Sequence, residues 1–352
     1  MSAWRVGLAI AALTVFSANP ARAGMRPVPA ADAAYSGGDY KTAALLWGEA
    51  CETGNPTGCY ELAIVYRDGE GVAADHKKEA ELLGRACDGA EGRACFNLGL
   101  KADPWGKDSP AASPKQQQAA TAYYERGCTA GHQQSCVNLG GRLVAGRGAP
   151  KDVARGVKLL ETACFTNDEK MGAACYTLGS FFDGHNGAAA GENPALANRY
   201  LDLGCALANF DSCINLGYHY RTGYGLKRDM IRSNTLYAMI CEDGSEYECP
   251  QFTYREYFSG GGGYKLENVR PSRRDVAGLY QKACDGGFAH GCVALARLII
   301  RSGKASASEP QIRELLGKAL KLDPQHGVAK ILLQYIDTSG LAEMDRRHAN
   351  DR

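Results

Sequence analysis

Fourteen cysteines fall into seven pairs, and their spacing leaves few folds open. The pairs are Cys51/Cys59, Cys87/Cys95, Cys128/Cys136, Cys164/Cys175, Cys205/Cys213, Cys241/Cys249 and Cys284/Cys292. Six of them enclose seven residues, and Cys164/Cys175 encloses ten. First cysteines follow one another after 36, 41, 36, 41, 36 and 43 residues. A period of this length marks a repeat array, in which each unit buries its apolar face only by stacking on its neighbours. An eighth unit carries Leu320, 36 residues after Cys284, and Val328 eight residues later. An apolar pair there stands where the other units hold cysteines.

The residues around each pair repeat as well. A helical run such as Ala43–Ala50 or Ala80–Ala86 precedes the first cysteine. Three residues after the second cysteine stands Leu62, Leu98, Leu139, Leu178, Leu216 or Leu295. Beside it stands Ala63, Gly99, Gly140, Gly179, Gly217 or Ala296, and at +7 often an aromatic or aliphatic residue such as Tyr66, Leu143 or Tyr220. Positions +3, +4 and +7 make one apolar helix stripe. Glycine inside a helix costs about 1 kcal/mol against alanine, so its recurrence at +4 implies a close contact. The connectors Gly69–Asp75, Gly146–Asp152 and Gly223–Asp229 share the pattern G-x-G-x-x-x-D. The first glycine suits a left-handed helix C-cap and the aspartate an N-cap for the next helix. The units of 41 and 43 residues replace this turn with insertions at 104–114, 184–194 and 260–271.

Disulfides and zinc compete for such cysteines. Structural zinc sites use pairs two to four residues apart, which does not match a gap of seven. The N-terminus favours oxidation. Arg5 precedes the apolar run Val6–Phe16, and Ala21-Arg22-Ala23 fits a cleavage site, so residues 1–23 read as a secretory signal. The apolar run is too short for a bilayer span of about 20 residues. Each unit then holds one local bridge across a tight corner. Residues 24–335 form the array and 336–352 a polar tail. The fold expected is all-α, a right-handed α/α solenoid of about eight disulfide-bridged helix pairs. The balance of 40 basic and 39 acidic residues gives no basic face for nucleic acid and no charge run for a membrane surface.

The A-x-x-L-G element, the G-x-G-V-x-x-D turn and the helix ending in A-C resemble the Sel-like repeat family, relatives of tetratricopeptide repeats. The cysteine pair in each unit resembles the secreted Helicobacter cysteine-rich group of that family. The resemblance implies a scaffold, and in some members penicillin binding or β-lactamase activity. Three places depart from the pattern: the wide Cys164/Cys175 corner, Pro250 with Phe252-Thr253 in the sixth unit, and the Pro/Gln-rich stretch before the third.

No catalytic constellation accompanies that resemblance. S-x-x-K, S-D-N, K-T-G and G-x-S-x-G are absent, and the seven histidines show no H-x-H or H-E-x-x-H spacing. Neither a metal set nor a cofactor motif is present. A binding role follows more directly. With +3, +4 and +7 buried, positions +1, +2, +5 and +8 are expected to face a concave groove. At +2 stand Asn97, Asn138 and Asn215, with Thr177 and Glu61 in other units. Asparagine both donates to and accepts from a peptide backbone. Arg67, Tyr218, Arg221 and Arg297 lie nearby for carboxylates or aromatic groups. The competing reading has the asparagines bonding the backbone of the next repeat. The partner expected is a protein or peptide bound by a monomeric, exported, periplasmic or secreted chain. A cell-wall or penicillin-like small molecule is the alternative ligand, and host-directed secretion a third role.

Overall fold

The computed structural model describes residues 28–103, 112–166, 171–184, 192–242, 273–302 and 305–341. The signal segment, most of the three insertions, Cys249 with Pro250 and the Phe252-Thr253 stretch, and residues 342–352 lie outside them. Among the described residues there are sixteen α-helices and no strand. They are α1 (Pro29–Ser36), α2 (Tyr40–Glu52), α3 (Pro56–Asp68), α4 (His76–Asp88), α5 (Gly92–Ala102), α6 (Pro114–Thr129), α7 (Gln133–Ala145) and α8 (Val153–Cys164). There follow α9 (Gly172–Phe182), α10 (Pro194–Ala206), α11 (Phe210–Thr222), α12 (Met230–Glu242), α13 (Arg273–Asp285), α14 (Ala289–Ile300), α15 (Glu309–Leu322) and α16 (Gly327–Ser339). The chain divides into two compact units, Met1–Ser135 and Cys136–Arg352. Within each, helix hairpins stack in the α/α solenoid manner.

The corners are built as the spacing predicts. Bridges Cys51–Cys59, Cys87–Cys95, Cys164–Cys175, Cys205–Cys213 and Cys284–Cys292 are formed, with Cα atoms 4.5 to 4.9 Å apart. Cys128 and Cys136 are disulfide-bonded too. Each described bridge joins the last turn of one helix to the first turn of the next. Leu320 and Val328 hold the same places in the α15–α16 hairpin, and Val328 lies in the core.

The connectors also follow the pattern. Gly69 caps α3 in the left-handed conformation, at φ +73°, and its N–H donates to Val65 O. Gly71, at φ +73°, lets the turn press on the start of α2, where an added Cβ would stand 2.5 Å from the Tyr40 carbonyl carbon. Asp75, Asp152 and Asp229 each accept from backbone N–H groups one turn into the following helix.

A second left-handed site is less legible in the sequence. Three residues after the first cysteine, wherever that position is described, the backbone turns through positive φ, in Gly54, Ala90, Gly131, Ala208 and Gly287. The two alanines sit at φ +64° and +59°. A left-handed alanine is strained by roughly 1–2 kcal/mol, partly offset by the lower unfolded-state entropy of alanine. Ala90→Gly and Ala208→Gly should therefore each raise stability by about 0.5–1 kcal/mol, because both methyls are exposed. Chemical denaturation of the single variants checks this, and a fall in midpoint would contradict it.

The second unit departs from simple neighbour stacking. Gly327, at the start of α16, sits so close to the end of α10 that a Cβ there would lie 2.6 Å from Leu207 Cδ2. Phe288, ahead of α14, packs with Leu201, Cys205, Leu216 and Leu236 of the fifth and sixth units. The last two hairpins thus seat against the fifth repeat, which no spacing argument anticipates.

Candidate functional site

The helices α11, α14 and α10 frame a cleft of about 420 Å³ in the second unit. Asn209 caps α11 through the Ser212 N–H and aims its apolar stripe inward, with Leu216 buried. The stripe's +7 residue, Tyr220, forms one wall, and Phe288 meets it edge to face at 5.8 Å. Arg232 lies over both rings, 5.5 and 5.3 Å from their centroids, and donates to the Tyr220 hydroxyl at 3.3 Å. Burial pushes the Tyr220 hydroxyl above its ordinary pKa. Arg199, Asp202, Asp323 and His290 complete the charged lining. Burial first, and then the nearby Asp202 charge, raise the Asp323 carboxyl, against the pull of the Gln325 N–H. The cleft thus offers two guanidiniums, two carboxylates and two rings, which is hydrogen-bonding and stacking chemistry.

One floor of this region is a fixed polar cluster. His219 is buried, with Nδ1 2.7 Å from Asn198 Oδ1 and Nε2 3.3 Å from Asp183 Oδ1. Asn198 Nδ2 donates to the Tyr224 carbonyl, which sets the amide's orientation. Asp183 stands at +8 after Cys175, a position expected to be open.

Position +8 is in fact mostly covered, and +1 is half-buried or buried. Val137 and Val293 at +1 are buried, as are Asp103, Val144, Asp183 and Ile300 at +8. A helix in an array is covered on two sides, by its hairpin partner and by the next repeat, so the buried arc is wider than one stripe. Positions +2 and +5 keep more exposure. Asn97, Asn138 and Asn215 are half-buried. Asn97 belongs to the first unit and lies beside the Tyr60 hydroxyl there. Glu61, its +2 counterpart, pairs with Arg93 of the next repeat at 2.8 Å. Arg67 is exposed and paired with its neighbour Asp68 through two contacts of 2.8 Å. Asn215, Tyr218 and Arg221 follow one another at three-residue steps along α11 and share a face. Tyr218 is 54% exposed there. Arg221 is half-buried, with its charge acting on Tyr237. Arg297 lines a separate small, enclosed space beside Phe210, Val293 and His326.

Sequence reasoning did not single out the cleft residues. One signal was present: His290 and His326 are 36 residues apart and occupy the same place, two before the second cysteine or its counterpart Val328. Among the described residues no group of three or more His, Cys, Asp or Glu is placed to hold a metal ion, and no helix is long and apolar enough to cross a membrane.

Residues 56–90, 92–132, 133–164 and 210–245 match the Sel1 repeat model. Among solved structures, a Sel1 repeat protein from Oxalobacter formigenes aligns at TM-score 0.55 and 18% identity, covering 69% of this chain and 98% of that one. The uropathogenic Escherichia coli protective antigen c5321, with an SLR fold, aligns at 0.52 and 17%, covering 89% of this chain and 65% of that one. At these identities the likeness shows the fold alone. Mouse cytochrome c oxidase assembly factor 7 is 29% identical over 135 residues, 38% of this chain. The chain spans 56% of that relative's length. Repeat segments, corner geometry and fold define an all-α repeat scaffold. The chain carries Sel1 repeats over these four segments.

Proposed function

We propose that this chain is an exported repeat scaffold that binds peptide segments of protein partners. The observation that carries the reading is the cleft, where Arg199, Arg232, Asp202 and Asp323 surround Tyr220 and Phe288. Such a lining suits an extended polar peptide, which presents backbone groups and side chains of both signs. The α11 face of Asn215, Tyr218 and Arg221, on the other side of the helix from Leu216 and Tyr220, is a second contact surface in this reading, with Tyr218 exposed on it. Export is supported by the short apolar run behind Arg5 and by the bridged cysteine pairs.

The test is affinity capture from envelope extract, followed by binding measurements with the partner identified. Arg199 is exposed, so Arg199→Glu should leave the melting temperature unchanged within about 2 °C. It should weaken binding at least tenfold, about 1.4 kcal/mol. Asn215→Ala should weaken it by a smaller factor, one hydrogen bond of about 0.5–1.5 kcal/mol. Unchanged affinity in Arg199→Glu would remove the cleft from the binding surface.

A further inference from the structure

Two buried histidines join three repeats of the second unit. His290 is the second residue of α14 and His326 is the N-cap of α16, and they are 2% and 1% exposed. Asp202 on α10 accepts from His290 Nε2 at 3.0 Å. His290 Nδ1 lies 3.0 Å from His326 Nε2. The outer nitrogen of the chain, His326 Nδ1, is buried and has no hydrogen-bond partner. The carboxylate fixes the tautomers: Nε2 of His290 carries a hydrogen, its Nδ1 accepts, and Nε2 of His326 donates. His326 Nδ1 is then a bare lone pair, which tolerates burial better than an unpaired N–H.

We propose that the Asp202–His290–His326 chain is an acid-sensitive latch that holds the α15–α16 hairpin on the fifth repeat and releases it when His326 takes up a proton. The seat it guards is the close contact of Gly327 with Leu207 and the Ala206 carbonyl.

The charged groups around the pair are unevenly placed. Asp202 from α10 and Asp323 ahead of α16 stand on the His290 side of the pair. Arg199 and Arg232 line the cleft on the His290 side, with Tyr220. Arg297 from α14 lines the space at His326, and Lys330 follows on α16. No carboxylate lines that space. Burial is the main cause that holds His326 well below the ordinary histidine pKa. A released histidine titrates near 6.5, so below that pH the open state binds the extra proton and the closed state does not. Closure is therefore at full strength above about pH 6.5 and weakens as the pH falls. One such proton raises the opening constant about tenfold between pH 7.5 and 5.5.

Hydrogen exchange on the full oxidised chain reads this directly, after correction for intrinsic rates. Amides of α16 should open about tenfold more at pH 5.5 than at 7.5, with α2 and α3 of the first unit unchanged. His326→Gln keeps a donor for His290 and cannot ionise, so its α16 amides should show no such change. Equal protection of α16 at both pH values in the wild type, or the same tenfold change in the variant, would overturn the latch. An independent reading needs no variant. The His326 ring signal in the native protein should not titrate down to pH 5.5, and an apparent pKa at or above 6.5 would overturn the proposal.

Discussion

Complete reduction of the bridges should unfold the protein at 25 °C. A bridge closing a nine-residue loop stabilises by about 2.6 kcal/mol in the chain-entropy account. Five such loops are described, each of eight or eleven residues' separation, and Cys128 and Cys136 are bonded as well. Together they supply roughly 15 kcal/mol, which matches or exceeds the 5–15 kcal/mol by which folded chains are usually stable. Neighbouring repeats share interfaces, so the loss spreads beyond each corner. Helical circular dichroism with and without excess reductant, with thiols counted by alkylation and mass, checks the expectation. A fully reduced chain that keeps its denaturation midpoint would contradict it.

The second large effect is a change of sign between two glycines. Gly84 in α4 has nothing within 4 Å of a built Cβ, so Gly84→Ala should stabilise by about 1 kcal/mol through helix propensity. Gly99 in α5 is the +4 glycine of the second repeat. Its Cβ would stand 2.5 Å from Tyr124 Cε1, in a ring 1% exposed. Gly99→Ala should therefore destabilise by about 1–3 kcal/mol despite its better propensity. Gly179, with Leu201 Cδ2 at 2.6 Å, should behave like Gly99. Denaturant midpoints of the three variants decide it. A stabilised Gly99→Ala would show that the helices can part at no cost.

The +4 glycines were legible because a residue that harms a helix recurred in register. The partner was not legible: Tyr124 and Leu201 project from the following helix, and nothing in a single repeat announces them. The corner shows the same divide. Where Ala50 precedes the first cysteine, Gly58 precedes the second. Where Gly127 or Gly204 precedes the first, Ser135 or Ser212 precedes the second. The built Cβ positions clash within each such pair, at 2.8, 2.3 and 2.2 Å, so one residue of the two must stay small. That exchange of volume is written in the sequence but becomes visible only once the two positions are known to touch. The cleft and the histidine latch were harder to read. They arise where the seventh and eighth repeats meet the fifth, at sequence distances such as the 88 residues between Asp202 and His290. The period of the array describes only neighbours.

The shortness of the described bridges bears on how the chain acquires them. Each of these cysteines has as its native partner the very next cysteine along the chain, or the one just before it. An oxidant that joins thiols in their order of emergence therefore makes these pairs by default. A wrong bond from Cys59 to Cys87 requires Cys51 to stay unlinked while 28 further residues appear, a delay of seconds at about 5–20 residues per second. Oxidative folding of such a chain can proceed hairpin by hairpin, with little left for a disulfide isomerase to correct.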